Sequence, residues 1–347
     1  MYYTKKSKEA QLHHLISSFI LLFVLIISSS IVTNTHIVYG QTNQTIAENE
    51  DLMNIQDIPL KKVRVGDIDV AYKMFGKGDP IILFNGASDN MDAWDPSFLK
   101  GLSSNHTVIA FDQRGIANTT IGSKPYTYQQ IADDAAGLLD ALKIPKADVM
   151  GYSLGSYLAQ QLTMMYPDKV NRLILVASSC GGKDHTPKPP EFLNLQSEIV
   201  NNSLNNVSNT QEQIKSLVSA SLGSGWVKLH PESLEGFENI TTFQQLKPAV
   251  NPEMVNNQNN LGKHWEDNPT WSGACDELAK LAKPTLVITG ADDNFYQPHV
   301  NSLKIVEKIP GAWLVQIKDA SHAVPDQYPA EIGKIVDTFL STASPNN

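Results

Sequence analysis

One stretch of the chain combines residue types and a spacing that suit nucleophilic catalysis. The residues Gly151-Tyr152-Ser153-Leu154-Gly155 stand between a short apolar segment and a helical pattern. A serine on so tight a strand-to-helix turn needs neighbours without bulk, which Gly151 and Gly155 supply. The N–H groups and positive dipole end of the following helix suit a developing oxyanion. By itself the pattern fits a nucleophilic Ser153 and an exposed serine in a glycine-rich turn equally well, and the rest of the chain decides between them.

A base for this serine is expected near the end of the chain. A serine hydroxyl is a poor nucleophile at neutral pH and needs a base within hydrogen-bond reach. The imidazole of His322 can be that base, because it titrates near neutrality. Among nine histidines, only His322 lies in a loop of small residues directly after an apolar strand. This position favours a catalytic histidine over a surface histidine.

The elements that must position these residues alternate along the chain. Short apolar strands without polar alternation are separated by segments with helical spacing, which is typical of a parallel sheet covered on both faces. A hairpin at residues 62–75 is expected to add antiparallel edge strands. The predicted strands are 80–84, 107–111, 149–150, 170–177, 285–289 and 313–317, and the predicted helices are 128–142 and 329–340.

The strand rhythm stops between residues 181 and 283. This segment is polar and rich in asparagine, with helical stretches predicted at 191–201 and 210–221. We interpret residues 181–283 as a helical cap inserted into a core formed by residues 60–180 and 284–347. The predicted fold class is therefore α/β, with a mostly parallel central sheet, helices on both faces and a helical cap insertion.

The N-terminus has the features of an export signal. Lys5, Lys6 and Lys8 precede an apolar run over residues 15–32, and a polar stretch follows. This order predicts that residues 1–40 are a signal peptide. An uncleaved N-terminal membrane anchor is the alternative, because the apolar run approaches the length of a membrane span.

The next segment and the expected location follow from this interpretation. Residues 41–59 are polar without apolar periodicity and are predicted to form a flexible linker. We expect the protein to be exported. It is then either extracellular or anchored on the outer face of the cytoplasmic membrane through residues 15–32.

The composition limits the function classes. The chain has 347 residues, of which 41% are hydrophobic and 18% charged, as in a globular protein with a sizeable core. The net charge is −9, and because residues 1–40 carry three lysines and one glutamate, the remainder has −11. So acidic a chain argues against nucleic-acid binding. The sequence shows no phosphate-binding glycine loop, paired histidines or cysteine cluster, so neither a cofactor nor a metal is expected.

The only two cysteines, Cys180 and Cys275, stand at the two ends of the predicted cap. In an oxidising compartment two cysteines can form one bridge, which here would staple the base of the cap. Two unpaired thiols are equally compatible with the sequence.

Taken together, these elements resemble the α/β-hydrolase superfamily over about residues 60–342. Members carry a serine, an acid and a histidine in this order along the chain. The turn at residues 290–293, Gly-Ala-Asp-Asp, is similar to the family's G-x-x-D, and residues 112–115, Asp-Gln-Arg-Gly, are similar to its D-x-R-G turn. The loop at 319–323 is similar to the family's histidine loop. The branches that the chain resembles are serine esterases, enol-lactonases, perhydrolases and proline iminopeptidases.

The resemblance implies a triad of Ser153, Asp293 and His322. Asp293 stands at the family's spacing from Gly290 and would orient His322 and stabilise its cation. The neighbouring Asp292 is the alternative to Asp293 as the acid. If Asp293 is the acid, Asp292 is expected to cap the turn with its carboxylate.

The resemblance also implies an oxyanion hole made by the backbone N–H groups of Leu154 and Ala87. Ala87 follows Asn85-Gly86, whereas the family usually has His-Gly at this place. That histidine is normally a structural hydrogen-bonding residue, so the amide of Asn85 could substitute for it.

The function that the resemblance implies is that of a serine hydrolase, which cleaves a small carboxylic ester or lactone through an acyl-enzyme. An aminopeptidase of the proline iminopeptidase type is an alternative, and would need a cap carboxylate for the substrate's amine. A non-catalytic binding protein that uses the hydrolase pocket is a second alternative, and an acyltransferase is a third. The cap carboxylates available to an aminopeptidase are Glu191, Glu198, Glu235 and Glu238.

Overall fold

The structure is a computed structural model, and it describes residues 54–87, 89–191, 193–195, 198, 202, 208–237, 252–293 and 300–343. The predicted signal peptide, most of the linker and most of the predicted helix 191–201 lie outside these ranges. Within them, none of the helices combines the length and the apolar character that crossing a bilayer requires.

An eight-stranded sheet forms the centre of the molecule. Its order is β1-β2-β4-β3-β5-β6-β7-β8, and every pair is parallel except β1 with β2 and β2 with β4. The predicted α/β class and the antiparallel hairpin at one edge are thereby confirmed. The strands are β1 (Lys61–Val65), β2 (Ile68–Gly76), β3 (Asp79–Phe84), β4 (His106–Phe111), β5 (Ala147–Tyr152), β6 (Val170–Val176), β7 (Thr285–Gly290) and β8 (Trp313–Ile317).

Helices cover both faces of this sheet. The helices are α1 (Pro96–Ser103), α2 (Tyr128–Ala141), α3 (Leu154–Met165), α4 (Gln211–Leu222), α5 (Ser224–Leu229), α6 (Pro252–Glu266), α7 (Cys275–Leu281), α8 (Asn301–Lys308), α9 (Val324–Gln327) and α10 (Pro329–Thr342). In β3, Ile82 and Phe84 pack into the core under α2 and α3, while Ile81 and Leu83 pack into the core under α1 and α10. A strand buried on both faces has no polar alternation, which explains the apolar run in the sequence.

Local signals set where several helices begin. Asp95 accepts the backbone N–H of Ser97 ahead of Pro96, which starts α1, a helix that we did not predict. In α4 the pair Thr210 and Gln213 forms a capping box, in which each side chain accepts the other residue's backbone N–H. The polar α4 can therefore begin at a defined residue despite its weak apolar pattern.

A buried arginine joins three parts of the core. The guanidinium of Arg114 donates to both carboxylate oxygens of Asp134 in α2 and to both oxygens of Asp67 in the β1–β2 turn. These hydrogen bonds hold the pKa of Asp67 well below its usual range. The planar fork of arginine suits this double bidentate pairing, which a lysine could not reproduce. The D-x-R-G turn thus has a structural role in this chain.

Between β6 and β7, the described residues form helices and turns and no strand. A disulfide joins Cys180, just after β6, to Cys275 at the start of α7. The two cysteines are 95 positions apart in the sequence. The N–H of Ala274 donates to Cys180 O beside it.

The end of the predicted flexible linker is part of the core. The linker was predicted to reach residue 59, but Ile55 is buried among residues of the α1 side of the sheet. Its carbonyl oxygen also accepts a hydrogen bond from Lys73 Nζ at 2.9 Å. Within the predicted linker, Ile55 therefore contacts the core, whereas residues 54, 56, 57 and 59 are exposed.

Candidate functional site

The site is built around a strained turn between β5 and α3. Ser153 has φ +53° and ψ −120°, a conformation that side-chain-bearing residues rarely adopt. Its N–H donates to Val176 O in the neighbouring β6 at 3.0 Å. A Cβ at Gly151 would lie inside contact distance of Gly155 O, and a Cβ at Gly155 would collide with Phe84 O. Both glycines are required by the close approach of backbone to backbone.

The three predicted side chains meet at the carboxyl edge of the sheet. Ser153 Oγ lies 3.0 Å from His322 Nε2, and His322 Nδ1 lies 3.1 Å from Asp293 Oδ2. Ser153 follows β5, Asp293 follows β7 and His322 follows β8. Ser153 and His322 are only 1% and 3% exposed, so the series is shielded from bulk water. The arrangement has the geometry by which a hydroxyl passes its proton to an imidazole.

The two neighbouring aspartates have different partners. Asp293 is buried and lies against His322, whereas Asp292 Oδ2 accepts the backbone N–H of Gly225, at the start of α5, at 3.1 Å. Asp292 thus bonds to a neighbouring segment, and the imidazole is paired with Asp293.

The loop after β3 borders the turn that carries Ser153. Asn85, which stands where histidine was expected, is buried and uses both ends of its amide: Oδ1 accepts Trp94 Nε1–H at 2.8 Å and Nδ2 donates to Asn90 O at 2.8 Å. Asn85 O also accepts a hydrogen bond from Gln113. The loop that carries Ala87 is therefore held by side-chain hydrogen bonds without the histidine.

The two backbone N–H groups predicted to hold an oxyanion belong to Ala87, in the loop after β3, and to Leu154, which follows Ser153. Ala87 and Leu154 are both buried, and Leu154 is the first residue of α3. The first N–H groups of a helix have no acceptor within the helix, so the amide of Leu154 can serve a ligand.

A small cavity lies beside Tyr152, the residue before Ser153. Its volume is about 10 Å³, close to the smallest volume that can hold one water molecule. The cavity adjoins Tyr152, whose ring lies 5.6 Å from that of His322. Asp326 is half-buried as a residue, yet its Oδ2 is enclosed and receives no hydrogen bond from the described part of the chain. Burial, and then the charges of Asp89 and Asp95, raise the pKa of Asp326 well above its usual value. The residues around the cavity are Asn85, Asp89, Ala93, Trp94, Tyr152, Pro325 and Asp326.

Sequence reasoning did not find two other contributors to the site. Gln327 accepts the backbone N–H of Ser321 at 2.9 Å, and Tyr152 packs against the imidazole. Tyr152 directly precedes Ser153 in the sequence, so its proximity to the site could have been inferred from that position. Gln327 has no local signal, because its second partner is Leu222, 105 residues away. Among the described residues, no three side chains of His, Cys, Asp or Glu are placed to hold a metal ion.

Comparison with known proteins places this site in a family context. Residues 79–328 match the model of a family described as alpha/beta hydrolase fold. The chain is 26% identical over 242 residues to a poly(3-hydroxyalkanoate) depolymerase of Ectopseudomonas oleovorans, covering 69% of this chain and 77% of that one. It is 24% identical over 272 residues to the proline iminopeptidase PfmaB of Pestalotiopsis fici, covering 76% and 92%. A thermophilic esterase from Thermogutta terrifontis shares the fold, with a TM-score of 0.62, 24% identity and coverage of 81% and 98%.

The buried carboxyl of Asp326 gives a test of this description. The pKa of Asp326 is higher in the folded protein than in the unfolded chain, where it is near 4. The folded protein therefore loses stability as the pH rises from the pKa of the unfolded chain through the pKa of the folded protein. Asp326→Asn removes that cost, so it should raise the free energy of unfolding at pH 8. At pH 4 the gain should vanish. Urea unfolding at both pH values measures the difference.

The same substitution at Asp57, which is exposed, is the matched control and should follow the wild type at both pH values. An equal effect of Asp326→Asn at pH 4 and pH 8 would show that Asp326 is not a buried, protonated group.

Proposed function

The chain belongs to the alpha/beta hydrolase fold family, and on that premise we propose that it hydrolyses a small carboxylic ester or lactone. The observation that carries the proposal is the hydrogen-bonded series from Ser153 Oγ through His322 to Asp293. A serine needs such a series to act as a nucleophile at neutral pH. The route uses water and the chain's own side chains, and it requires no cofactor.

The reaction begins when Ser153 Oγ attacks the substrate's carbonyl carbon while His322 Nε2 takes the hydroxyl proton. Asp293 accepts the Nδ1–H of His322, fixes the tautomer that presents the Nε2 lone pair to Ser153, and stabilises the cation. His322 then gives the proton to the leaving alkoxide, and the acyl-enzyme forms. Water next gives a proton to His322 and attacks the acyl carbon. As the bond between the acyl carbon and Ser153 Oγ breaks, His322 returns this proton to Oγ, which releases the acid and restores Ser153.

The negative charge of the tetrahedral intermediate needs donors that are already in place. We assign this role to the backbone N–H groups of Leu154 and Ala87. Leu154 contributes the positive end of α3 as well as its amide. Ala87 follows β3, which pairs directly with β5, so its loop borders the turn of Ser153. In a site closed to water, one such donor contributes about 3 kcal/mol to the transition state.

An aminopeptidase is the second candidate, and the similarity to a proline iminopeptidase over 76% of the chain favours it. It would need a cap carboxylate to hold the substrate's amine. Glu191 and Glu198 are exposed in the structure, and the side chains of Glu235 and Glu238 lie outside the described residues. The exposure of Glu191 and Glu198 does not favour either of them as the receptor for a substrate's amine.

The buried carboxylate of the described cap has other partners. Glu266 lies 3.4 Å from Lys188 Nζ and accepts the hydroxyl of Tyr157 at 3.0 Å. Burial alone would raise the pKa of Glu266, but Lys188, His185 and Tyr157 together bring it below its usual value. The carboxylate is thus ionised and already engaged, which does not favour it as a receptor for a substrate's amine.

Labelling with a fluorophosphonate probe tests for an activated nucleophile. The wild-type protein without residues 1–40 should be labelled at Ser153, located by peptide mass. Ser153→Ala should abolish labelling and lower kcat by at least about 10³-fold while leaving the unfolding curve nearly unchanged, because only one hydroxyl is removed.

A panel of short-chain esters, lactones and aminoacyl amides, assayed beside the probe, chooses among the candidate reactions. Turnover of aminoacyl amides alone would replace the esterase by the aminopeptidase. Acyl transfer to an added alcohol in preference to water would identify an acyltransferase. A folded wild-type protein that neither labels nor turns over any substrate would favour the non-catalytic binding protein.

The two aspartates at the end of β7 provide a matched pair of variants. Asp293→Asn should lower kcat by about 10³- to 10⁴-fold, because an amide next to Nδ1 favours the wrong imidazole tautomer. Asp292→Asn should change kcat by less than about threefold, since an amide oxygen can still accept the N–H of Gly225. Steady-state kinetics on the best ester of the panel compare them. The reverse order of effects would assign the acid to Asp292.

We propose in addition that the protein is exported. The basic, apolar and polar order of residues 1–40 supports this, and so does the disulfide between Cys180 and Cys275, since such bonds persist in oxidising compartments. Removal of residues 1–40 would release the protein, whereas an uncleaved segment would hold it on the outer face of the membrane.

Fractionation of cells that express the full chain tests the proposal. The expected product begins after Gly40, lies outside the cytoplasm and shows no thiol that reacts with maleimide after denaturation. A membrane-bound product beginning at Met1 and exposed to external protease would identify the anchor. A cytoplasmic product with two reactive thiols would contradict export.

A further inference from the structure

The last turn of α4 ends on the loop that carries His322. A helix leaves its last four carbonyls without partners inside the helix. In α4 the first of these, that of Ser219, accepts the N–H of Gly223. The next three all accept hydrogen bonds from residues 321–327, so the histidine loop serves as the C-terminal cap of this helix. They are the carbonyls of Ala220, Ser221 and Leu222.

Two buried side chains make most of this connection. Gln327 Nε2 donates to Leu222 O at 2.6 Å, while Oε1 of the same amide accepts the backbone N–H of Ser321 at 2.9 Å. Ser321 Oγ lies 3.1 Å from Ala220 O and 2.9 Å from Asp292 O. One glutamine and one serine therefore link the histidine loop, the cap helix and the turn that precedes Asp293.

His322 is thereby held from both sides. Ser321 before it is bonded to α4, and Ala323 after it donates its N–H to α4 at 3.4 Å. The fit depends on Gly223, whose φ is +83° and whose missing Cβ would stand 2.9 Å from Asp292 Cβ and 3.0 Å from Ser321 Cβ. A side chain at this position would push the helix end away from the loop.

We propose that Gln327 and Ser321 are positioning residues that fasten cap helix α4 to the histidine loop, so that the docked cap keeps His322 within reach of Ser153. The role rests on the proposed function, because it matters only if His322 takes a proton from Ser153. Both residues act through His322. The cap is then part of the proton-transfer apparatus as well as a cover for the site.

The chemistry of the amide explains why a glutamine suits this position. An amide both donates and accepts, a carboxylate of the same length only accepts, and a leucine does neither. Gln327→Glu therefore keeps the bond to Ser321 and breaks the bond to Leu222, which separates the loop contact from the cap contact.

The end of α4 that meets the loop also has an electrostatic effect. The carbonyl end of a helix carries a partial negative charge, and here it is bonded to both neighbours of His322. This charge favours the imidazolium that forms when Ser153 is deprotonated. Docking of α4 thus holds His322 in position and stabilises its positively charged form.

The test compares the rate at which a fluorophosphonate probe labels Ser153 in the wild type, Gln327→Glu and Gln327→Leu. Both variants should label about 10- to 100-fold more slowly, because a small displacement of the base costs that much. With the best ester of the panel, kcat should fall by the same factor while KM changes little. A purely structural loss of stability would leave the labelling rate of the folded fraction unchanged.

The pH dependence gives a second readout. As the pH falls, the carboxyl group introduced by Gln327→Glu becomes protonated and can again donate to Leu222 O. The labelling rate of Gln327→Glu relative to the wild type should therefore rise, while that of Gln327→Leu relative to the wild type should stay low.

A matched control lies at the other end of the same helix. Gln213→Glu introduces the same change into the capping box, where glutamate accepts the N–H of Thr210 as glutamine does. It loses only the exposed bond from Gln213 Nε2 to Glu198. It should label within about twofold of the wild type. Ser321→Ala, which removes the hydroxyl bonded to Ala220 O, provides an independent variant and should label several-fold more slowly even if Gln327→Glu is recovered unfolded.

The outcomes separate this inference from the proposed function. Wild-type labelling at Ser153 with equally fast labelling of Gln327→Glu and Ser321→Ala would overturn the positioning role and leave the hydrolase intact. A wild-type protein that does not label would overturn the proposed function and the positioning role with it.

Discussion

The backbone at Ser153 is the constraint on which the rest of the site depends. A serine at φ +53° costs of the order of 1–3 kcal/mol and persists only when its surroundings leave no alternative. Here Gly151 and Gly155 let backbone meet backbone, and the N–H of Ser153 is bonded to β6. The strain lifts the hydroxyl out of the sheet and starts α3 one residue later. Packing of the core maintains this conformation, because the buried strands on both sides of β5 cannot shift without losing their contacts.

The order of strands in the sheet brings residues that are far apart in the sequence close together. Ser153 and His322 are 169 residues apart, yet both follow strands that end at the same edge. Parallel strands present all their carboxyl ends to one side, so the loops after β3, β5, β7 and β8 form one surface. The loop after β3 needs its own support, because its usual histidine is replaced. Asn85 supplies that support with both ends of its amide, bonded to Trp94 and to Asn90 O.

The sequence was sufficient wherever a local pattern carries a steric or topological requirement. The glycine spacing around Ser153 and the order serine, acid, histidine predicted the three side chains that the structure brings together. The apolar strands predicted the sheet. It was insufficient where a bond depends on how the segment between β6 and β7 packs on the core. No pattern near Gln327 indicates Leu222 as its partner, and the sequence left open whether Cys180 and Cys275 are bridged or unpaired. Helix α6 was missed because its apolar contacts are few, at Met254, Leu261 and Trp265 in an otherwise polar segment. Helix α1 has a local start signal, the N-cap Asp95 followed by Pro96.

The cap is joined to the core beside both partners of the proposed proton transfer. On one side, Trp265 stacks on Tyr157 of α3 at 5.1 Å, and the Tyr157 hydroxyl bonds to Glu266. A buried carboxylate is costly unless it is paired, and Glu266 at the end of α6 is paired with Lys188. On the other side, α4 ends on the histidine loop. Tyr157 lies one helical turn after Ser153, so displacement of the cap would act on the nucleophile's helix and on its base together. The segment between β6 and β7 is therefore linked by packing and hydrogen bonds to the helix of Ser153 and to the loop of His322.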